Sequence, residues 1–558
     1  MNTFRLLRYL LPLQNPIGFG LADFAELGIA ALLVAAILLR TRIEVLARRI
    51  AERPAWSMAL LAALPIVLRL ALLPRDPVPI PQVSDDFSYL LLGDTLAHLR
   101  LANPIHPLHR FFETVFVLQE PSYSSIFPMG QGIVLAIGEV LFRQPWAGVL
   151  LSIGAFCALC YWMLRAWVTP VWALAGGILA VMEFGPLSQW TNDYWGGAVS
   201  AIAGCLVFGS LPRLWRSGEP RDAALLGLGC ALQLLTRPFE SVLLALCILP
   251  ALLPLRRKLI GVALVILVPA LSLTLFQNKA VTGRWTTLPY MLSRYQYGVP
   301  ASFTFQKMPV PHRELTAEQK LDYTAQSDVH GDQPETLATY LLRLAGRIRF
   351  LRFFFLAPLY AALPFFIPAL REPRYVWAAA SILIFILGTN IYPYYYPHYI
   401  AAVTCLFLLI CVTGLARLSR VRIRGIAVGR DAARLVGLLC VVHFVFWYGV
   451  HLAGNEDLFI ATGPYESWDY INFGDAEGRV AIGRRLAEAP GKQLVFVRYG
   501  SGHILSEWVR NEADIDRARI VWALDLGPDE DAKLLRYYPG RTAWIVEPDA
   551  KPPKLKHY

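Results

Sequence analysis

Residues 256–276, RRKLIGVALVILVPALSLTLF, place three basic residues before eighteen without a charge. An uncharged run of that size is about the length an α-helix needs to cross a hydrocarbon core. Similar blocks recur along the chain. Membrane helices are expected at 27–40, 56–74, 145–167, 171–188, 196–211, 223–236, 241–255, 259–276, 351–370, 375–391, 400–416 and 435–453, about twelve in all. A shorter run at 130–142 reads as re-entrant or interfacial. Lipid offers no partner to free backbone groups, so spanning segments must be helices or closed barrels. These blocks are Leu/Ala-rich and do not alternate, which selects helices.

Composition agrees. Of 558 residues 56% are hydrophobic and 17% charged, against roughly 25% charged in soluble domains. The net charge of +11 does not indicate nucleic acid, because the arginines stand in short clusters between apolar blocks, as topology-setting charge does. All eight cysteines lie within or beside apolar blocks, so no disulfide framework is expected, and the Cys157/Cys160 spacing lacks the second pair a metal site would need. The first apolar block, near residue 27, lacks a small-residue cleavage pattern and reads as a retained anchor.

The basic clusters also order the sides. Arg40–Arg53, Arg213–Arg221, Arg256–Lys258, Arg371/Arg374 and Arg417–Arg434 each follow an odd-numbered expected helix. One orientation therefore puts them all in the cytoplasm, with both termini outside. The opposite side receives loop 75–129 with Ser84-Asp85-Asp86-Phe87-Ser88-Tyr89, the run Thr191–Trp195, the Arg237-Pro238-Phe239-Glu240 turn, loop 277–350 and the aromatic stretch Tyr392–Tyr399. It also receives 454–558, where strand-like runs at Gln493–Tyr499, Arg519–Leu526 and Arg541–Glu547 alternate with helical patterns such as Glu477–Ala487. This second unit reads as a small extracytoplasmic α/β domain behind a membrane domain of residues 1–453. Gly500-Ser501-Gly502 suits a plain turn better than a phosphate cradle.

Asp85 and Asp86 are adjacent carboxylates, read either as a solvated loop pair or as a general base beside a group binding an acceptor, a cation or a structural partner. Residues 86–100 carry Leu90, Leu91, Leu96 and Leu99 at helical spacing. A helix lying along the membrane surface would hold the pair at the lipid–water boundary. Arg237 and Glu240 form either an interfacial ion pair or, through the fork of Arg237, a phosphate site. His398 stands in an aromatic belt. Arg294 lies in a loop whose basic and tyrosine residues suit a phosphate and a sugar, or equally an anionic lipid surface. Glu183 is a carboxylate within an expected span, suited to packing inside the bundle.

At Asp85-Asp86-x-x-Tyr89 the chain resembles the GT-C glycosyltransferases, multi-pass enzymes that take sugars from polyprenyl phosphates. The bacterial protein mannosyltransferases, aminoarabinose transferases and rhizobial lipopolysaccharide galacturonosyltransferases are most alike. Ile126-Phe127-Pro128-Met129-Gly130-Gln131-Gly132 resembles their aromatic-Pro-Pro-Gly segment, with Met129 at the second proline and no lysine before Pro128. The resemblance covers roughly residues 56–450. It implies a GT-C transmembrane bundle in the bacterial inner membrane with Asp85 as catalytic base. It also implies a polyprenyl-phosphate sugar donor and a lipid, glycan or protein acceptor, with a divalent metal in some relatives. Tyr89, Arg237, Glu240, Arg294 and His398 are then expected to bind substrate, and Asp86 to share the catalytic position. A transporter or flippase of lipid-linked saccharide is the alternative; it would call for intramembrane charges on several helices, where Arg69 and Glu183 stand nearly alone.

Overall fold

The computed structural model describes residues 42–331, 335–454, 468, 475, 478–503 and 506–558. The expected first helix at 27–40 lies outside them.

Among the described residues six of the expected spans are helices long and apolar enough to cross a membrane: Pro54–Ala71, Pro145–Leu164, Ala198–Ser217, Arg257–Thr282, Pro397–Leu418 and Val428–Ala453. Four others form shorter apolar or partly apolar helices of 15–17 residues. Pro170–Phe184, Pro220–Thr236, Pro238–Leu252 and Pro373–Thr389 each begin on a proline. Proline's fixed φ favours a first helical turn, and its missing N–H disfavours a continuation from the residues before it. The block at 351–370 departs furthest. It is wound as 3-10 turns, Ile348–Phe354 and Ala357–Arg371. Pro364 and Pro368 stand inside the second segment, where an α-helix would lose hydrogen bonds. The 130–142 run forms a 14-residue helix, Met129–Phe142.

Ala198–Ser217 and Pro397–Leu418 are central, each 83% buried along its apolar window, whereas Arg257–Thr282 is 11% buried and outermost. Gly204 allows the two central helices to touch: a Cβ there would stand 1.8 Å from the carbonyl oxygen of Ala402.

The C-terminal unit holds a four-stranded sheet in the order Ile520–Leu524, Lys492–Val497, Arg541–Glu547, Lys554–His557. The first three strands are parallel and the last is antiparallel. Alternate residues of a strand face opposite ways, and here both faces are covered, as parallel sheets require. Val495, Val497, Trp522 and Leu524 pack on Ile482 and Leu486 of the helix Arg479–Glu488. Leu494, Phe496, Val521 and Ala523 pack on Phe111, Phe112 and Leu91 of the first long loop. The sheet is thereby joined to the segment that carries the acidic pair.

Candidate functional site

The acidic pair opens the helix Ser84–Ala97. Asp86, at its third position, accepts hydrogen bonds from the amides of Gln82 (3.0 Å) and Val83 (3.4 Å). It satisfies donors that a helix start otherwise leaves open, and its side chain is buried. Asp85, next in sequence and about 100° round the helix, is half-buried, and no neighbour hydrogen-bonds its carboxylate among the described residues. Burial pushes Asp85 up to about 7, helped by the like charges of Asp86 and Asp322 and opposed by Arg237. Burial also raises Asp86, to about 6, against the pull of the amides it accepts.

Two glycines bring this helix to the rest of the site. A Cβ on Gly132 would meet Leu92 Cγ at 2.4 Å, so Met129–Phe142 lies directly against the acidic helix. A Cβ on Gly130 would meet Thr236 Oγ1 at 2.2 Å and its Cα at 2.9 Å. Thr236 ends Pro220–Thr236, and Arg237 is the hinge before Pro238–Leu252. The Pro128–Gly132 motif thus spaces Asp85 from Arg237.

Arg237 stands with its Cζ 5.1 Å from the ring centre of Tyr399. Its charge acts on Asp85, Tyr89, Glu240 and His398. Among the described residues no hydrogen bond or ion pair engages the guanidinium. Among the described residues the Arg237–Glu240 ion pair, one of the two readings of that turn, is therefore not formed, although the Arg237 charge acts on Glu240. Glu240 is 2% exposed, and its Oε1 has no partner. A partly buried, unpaired guanidinium is costly unless an anion completes it.

Aromatic rings wall the site. Tyr89, one turn beyond Asp85, stacks on Phe127 with ring centres 4.1 Å apart. His398 is buried, stacked on Tyr396 at 5.5 Å and edge-on to Tyr399 at 4.7 Å. Arg294 has another fate: Nε and Nη2 donate to the carbonyls of Pro300 (3.0 Å) and Ala301 (2.9 Å). Its fork braces the loop. Of the two arginines, Arg237 alone has a free guanidinium.

Asp322, on the helix Ala317–His330, escaped the sequence reading. It is buried, accepts from Gln326 Nε2 at 2.8 Å, and its charge bears on Asp85. Burial raises it to about 6. No motif distinguishes it from the other acids of that loop. Close by, Glu318 is buried with neither oxygen partnered, and the charge of Glu507 acts on it. Glu507 is bonded by Tyr499 Oη (2.9 Å), the Val509 amide (3.0 Å) and Thr114 Oγ1. Among the described residues no three His, Cys, Asp or Glu side chains converge as a metal cage. Among the described residues these donors do not fit an ion.

Three other sequence features resolve. The Gly500 amide is taken by Asp549 Oδ2 at 2.7 Å. A carboxylate thus sits where a phosphate would have to, as a turn predicts. Arg69 is fully buried and saturated by Asn192 Oδ1 (2.7 Å) and the carbonyls of Asp76 (2.9 Å) and Pro77 (3.0 Å). Glu183 is 8% exposed inside the bundle.

The chain has the GT-C fold, a polytopic helix bundle bearing extramembrane loops and a C-terminal unit. ArnT from Cupriavidus metallidurans, solved bound to undecaprenyl phosphate, matches it with a TM-score of 0.50 at 13% identity, over 89% of this chain and 93% of that one. The apo form of that ArnT matches at 0.49 and 13% identity, over 88% and 92% of the two chains. Oligosaccharyltransferase AglB from Archaeoglobus fulgidus, solved with an inhibitory peptide and a dolichol-phosphate, matches at 0.43 and 11% identity, over 88% and 69%. The fold assignment rests on the first of these. No family model matches the sequence, and no curated protein matches it.

Proposed function

We propose that the chain is a membrane glycosyltransferase that moves a sugar from a polyprenyl-phosphate donor to a hydroxyl of a lipid, glycan or protein acceptor. The observation that carries this reading is that Asp85 and the Arg237 charge acting on it belong to one aromatic-walled site without bonding each other. One is a carboxylate left free and poised near neutrality; the other is a guanidinium left without an anion. The structural likeness to an ArnT solved with undecaprenyl phosphate supports the lipid-linked donor.

Asp85 removes the acceptor proton as the hydroxyl oxygen bonds to the anomeric carbon. The bond from that carbon to the phosphate oxygen breaks, and its electron pair leaves with the polyprenyl phosphate. Arg237 meets the charge on the departing phosphate, as a fixed cation does best where water is excluded. A base matched to ambient pH contributes roughly 100–10,000-fold. Tyr89 and the Tyr392–Tyr399 stretch offer rings for the sugar, and Glu240 an acceptor for its hydroxyls. Asp86 acts through helix geometry, as the cap that aims Asp85. The site then faces the extracytoplasmic side of a bacterial inner membrane. On that side a lipid-linked donor is the sensible sugar source, because soluble nucleotide sugars are cytoplasmic.

Purified protein incubated with radiolabelled polyprenyl-phosphate sugars and candidate acceptors should transfer label, and Asp85→Asn should abolish transfer without loss of folding. Undiminished transfer by the variant refutes the base. Lipid scrambling without transfer from any donor replaces the enzyme with a flippase.

A further inference from the structure

The helix Leu337–Arg347 has its polarity reversed for a surface helix in water. Tyr340, Arg343 and Arg347 follow at spacings of three and four and so share one face. That face turns inward. Tyr340 Oη donates to the carbonyl of Leu387 at 2.7 Å, and Arg343 Nε to that of Asn390 at 2.8 Å. Arg343 also pairs with Glu335 at 2.6 Å. Arg347 is 8% exposed; its fork reaches Asn390 Oδ1 (3.2 Å) and the carbonyls of Thr389 (3.3 Å), Pro393 (3.0 Å), Tyr394 (3.3 Å) and Tyr392.

The outward face carries the leucines. Leu337, Leu341 and Leu342 are 74%, 51% and 68% exposed, and the exposed residues beside them, Thr336, Ala338 and Thr339, are uncharged. A helix packed on a core in water buries its apolar stripe and shows its charges; this one does the opposite. Its setting supplies the reason. Residues Leu337–Phe354 and Ala357–Arg371 together are apolar enough for a span but bend by 106°. The helix therefore runs across the direction of the segment that follows it. It is bonded to the end of Pro373–Thr389, a short apolar helix.

We infer that Leu337–Arg347 lies in the membrane interface at the Asp85 end of the bundle, its three leucines among the acyl chains. The chemistry is that of an interfacial helix, with polar groups on one face and exposed leucines without charge on the other. Through Arg343 and Arg347 the same helix grips the carbonyls of Asn390–Tyr394, so the aromatic stretch of the site is tied to the bilayer surface. This inference rests on the membrane reading of the chain and is independent of sugar transfer.

The test places a single nitroxide at position 337 or 342 by Leu337→Cys or Leu342→Cys. The full-length protein, with half-buried Cys230 replaced by Ala, is reconstituted in phosphatidylethanolamine/phosphatidylglycerol vesicles. Glu530→Cys provides a water-exposed control. Both leucine sites should collide with dissolved oxygen several-fold more than with a water-soluble nickel chelate, and position 530 should show the reverse. Nickel access at 337 and 342 equal to that at 530 would put the face in water. Exclusion of both reagents would mean that protein covers it. Either result overturns the inference.

Discussion

The backbone amide of Ala513 donates to Asp94 Oδ2 at 2.6 Å, joining the helix of the acidic pair to the C-terminal unit. The same helix is held near its start. Arg479 donates to the carbonyl of Pro81 at 2.6 Å and lies 4.5 Å from the ring centre of Phe87. Tyr123 Oη adds a bond to the carbonyl of Asn511 at 3.1 Å. The C-terminal unit thus braces the acidic helix from both ends.

Asp94→Ala removes the acceptor of a charge-assisted bond while leaving the apolar contact of the sheet with Phe111 and Phe112. A hydrogen bond to a charged group contributes about 1.5–3 kcal/mol. The melting temperature of the purified variant should fall, and its C-terminal unit should be cut faster in limited proteolysis. Unchanged values on both measures would show that the bond does not brace the helix.

The transfer rate should rise with pH through about 7, the value to which burial and the charges of Asp86 and Asp322 bring Asp85. The sign follows from the role: a base works only when deprotonated, so activity is lost as pH falls below that value. Asp322→Asn removes one like charge, which eases ionisation of Asp85 and should move the midpoint of the profile downward. A midpoint that stays fixed in the variant would remove Asp322 from the site.

Arg237→Gln should lower transfer on the order of 100-fold, the usual effect of losing one donor to a developing charge. Arg237→Lys should restore part of it, because the charge returns without the fork. Kinetics with varied donor concentration check this. A variant with unaltered kcat and KM would place the phosphate elsewhere.

Gly130→Ala should damage both folding and turnover, since its Cβ would meet the side chain and Cα of Thr236. Overpacking of this kind costs about 1–3 kcal/mol. Relief at Thr236 has to move the neighbouring Arg237 as well. Thermal melts and transfer assays of the variant test the two effects together.

Sidedness has its own measurement. A cysteine at position 530, in the exposed first turn of Pro528–Tyr537, should react with an impermeant thiol reagent on intact cells stripped of their outer barrier. Reaction only after lysis would reverse the orientation read from the arginine clusters.

Much of the fold was legible because hydrophobic periodicity and block length are local quantities. The uncharged run at 259–276 became part of the 26-residue helix Arg257–Thr282, and the three strand-like runs of the C-terminus all paired into one sheet. Less legible were segments whose form depends on neighbours. The block at 351–370 has span-like composition, yet with Pro364 and Pro368 inside it is wound as bent 3-10 segments. The strand Lys554–His557 is short, charged and on a sheet edge, so no alternation marks it.

The acidic pair at 85–86 stood out because adjacent carboxylates beside an apolar block carry an evident solvation cost, which a sequence displays without coordinates. Sequence alone likewise determined that the chain carries membrane-spanning helices. Tertiary structure decided which polar groups remain free. Asp86 is used up capping a helix, and Arg294 is used up on two carbonyls. Asp322 is brought to Asp85 from another loop, while Arg237 is left without an anion. The physical reason is that a hydrogen bond depends on distance and direction in space, which residue type and spacing do not specify.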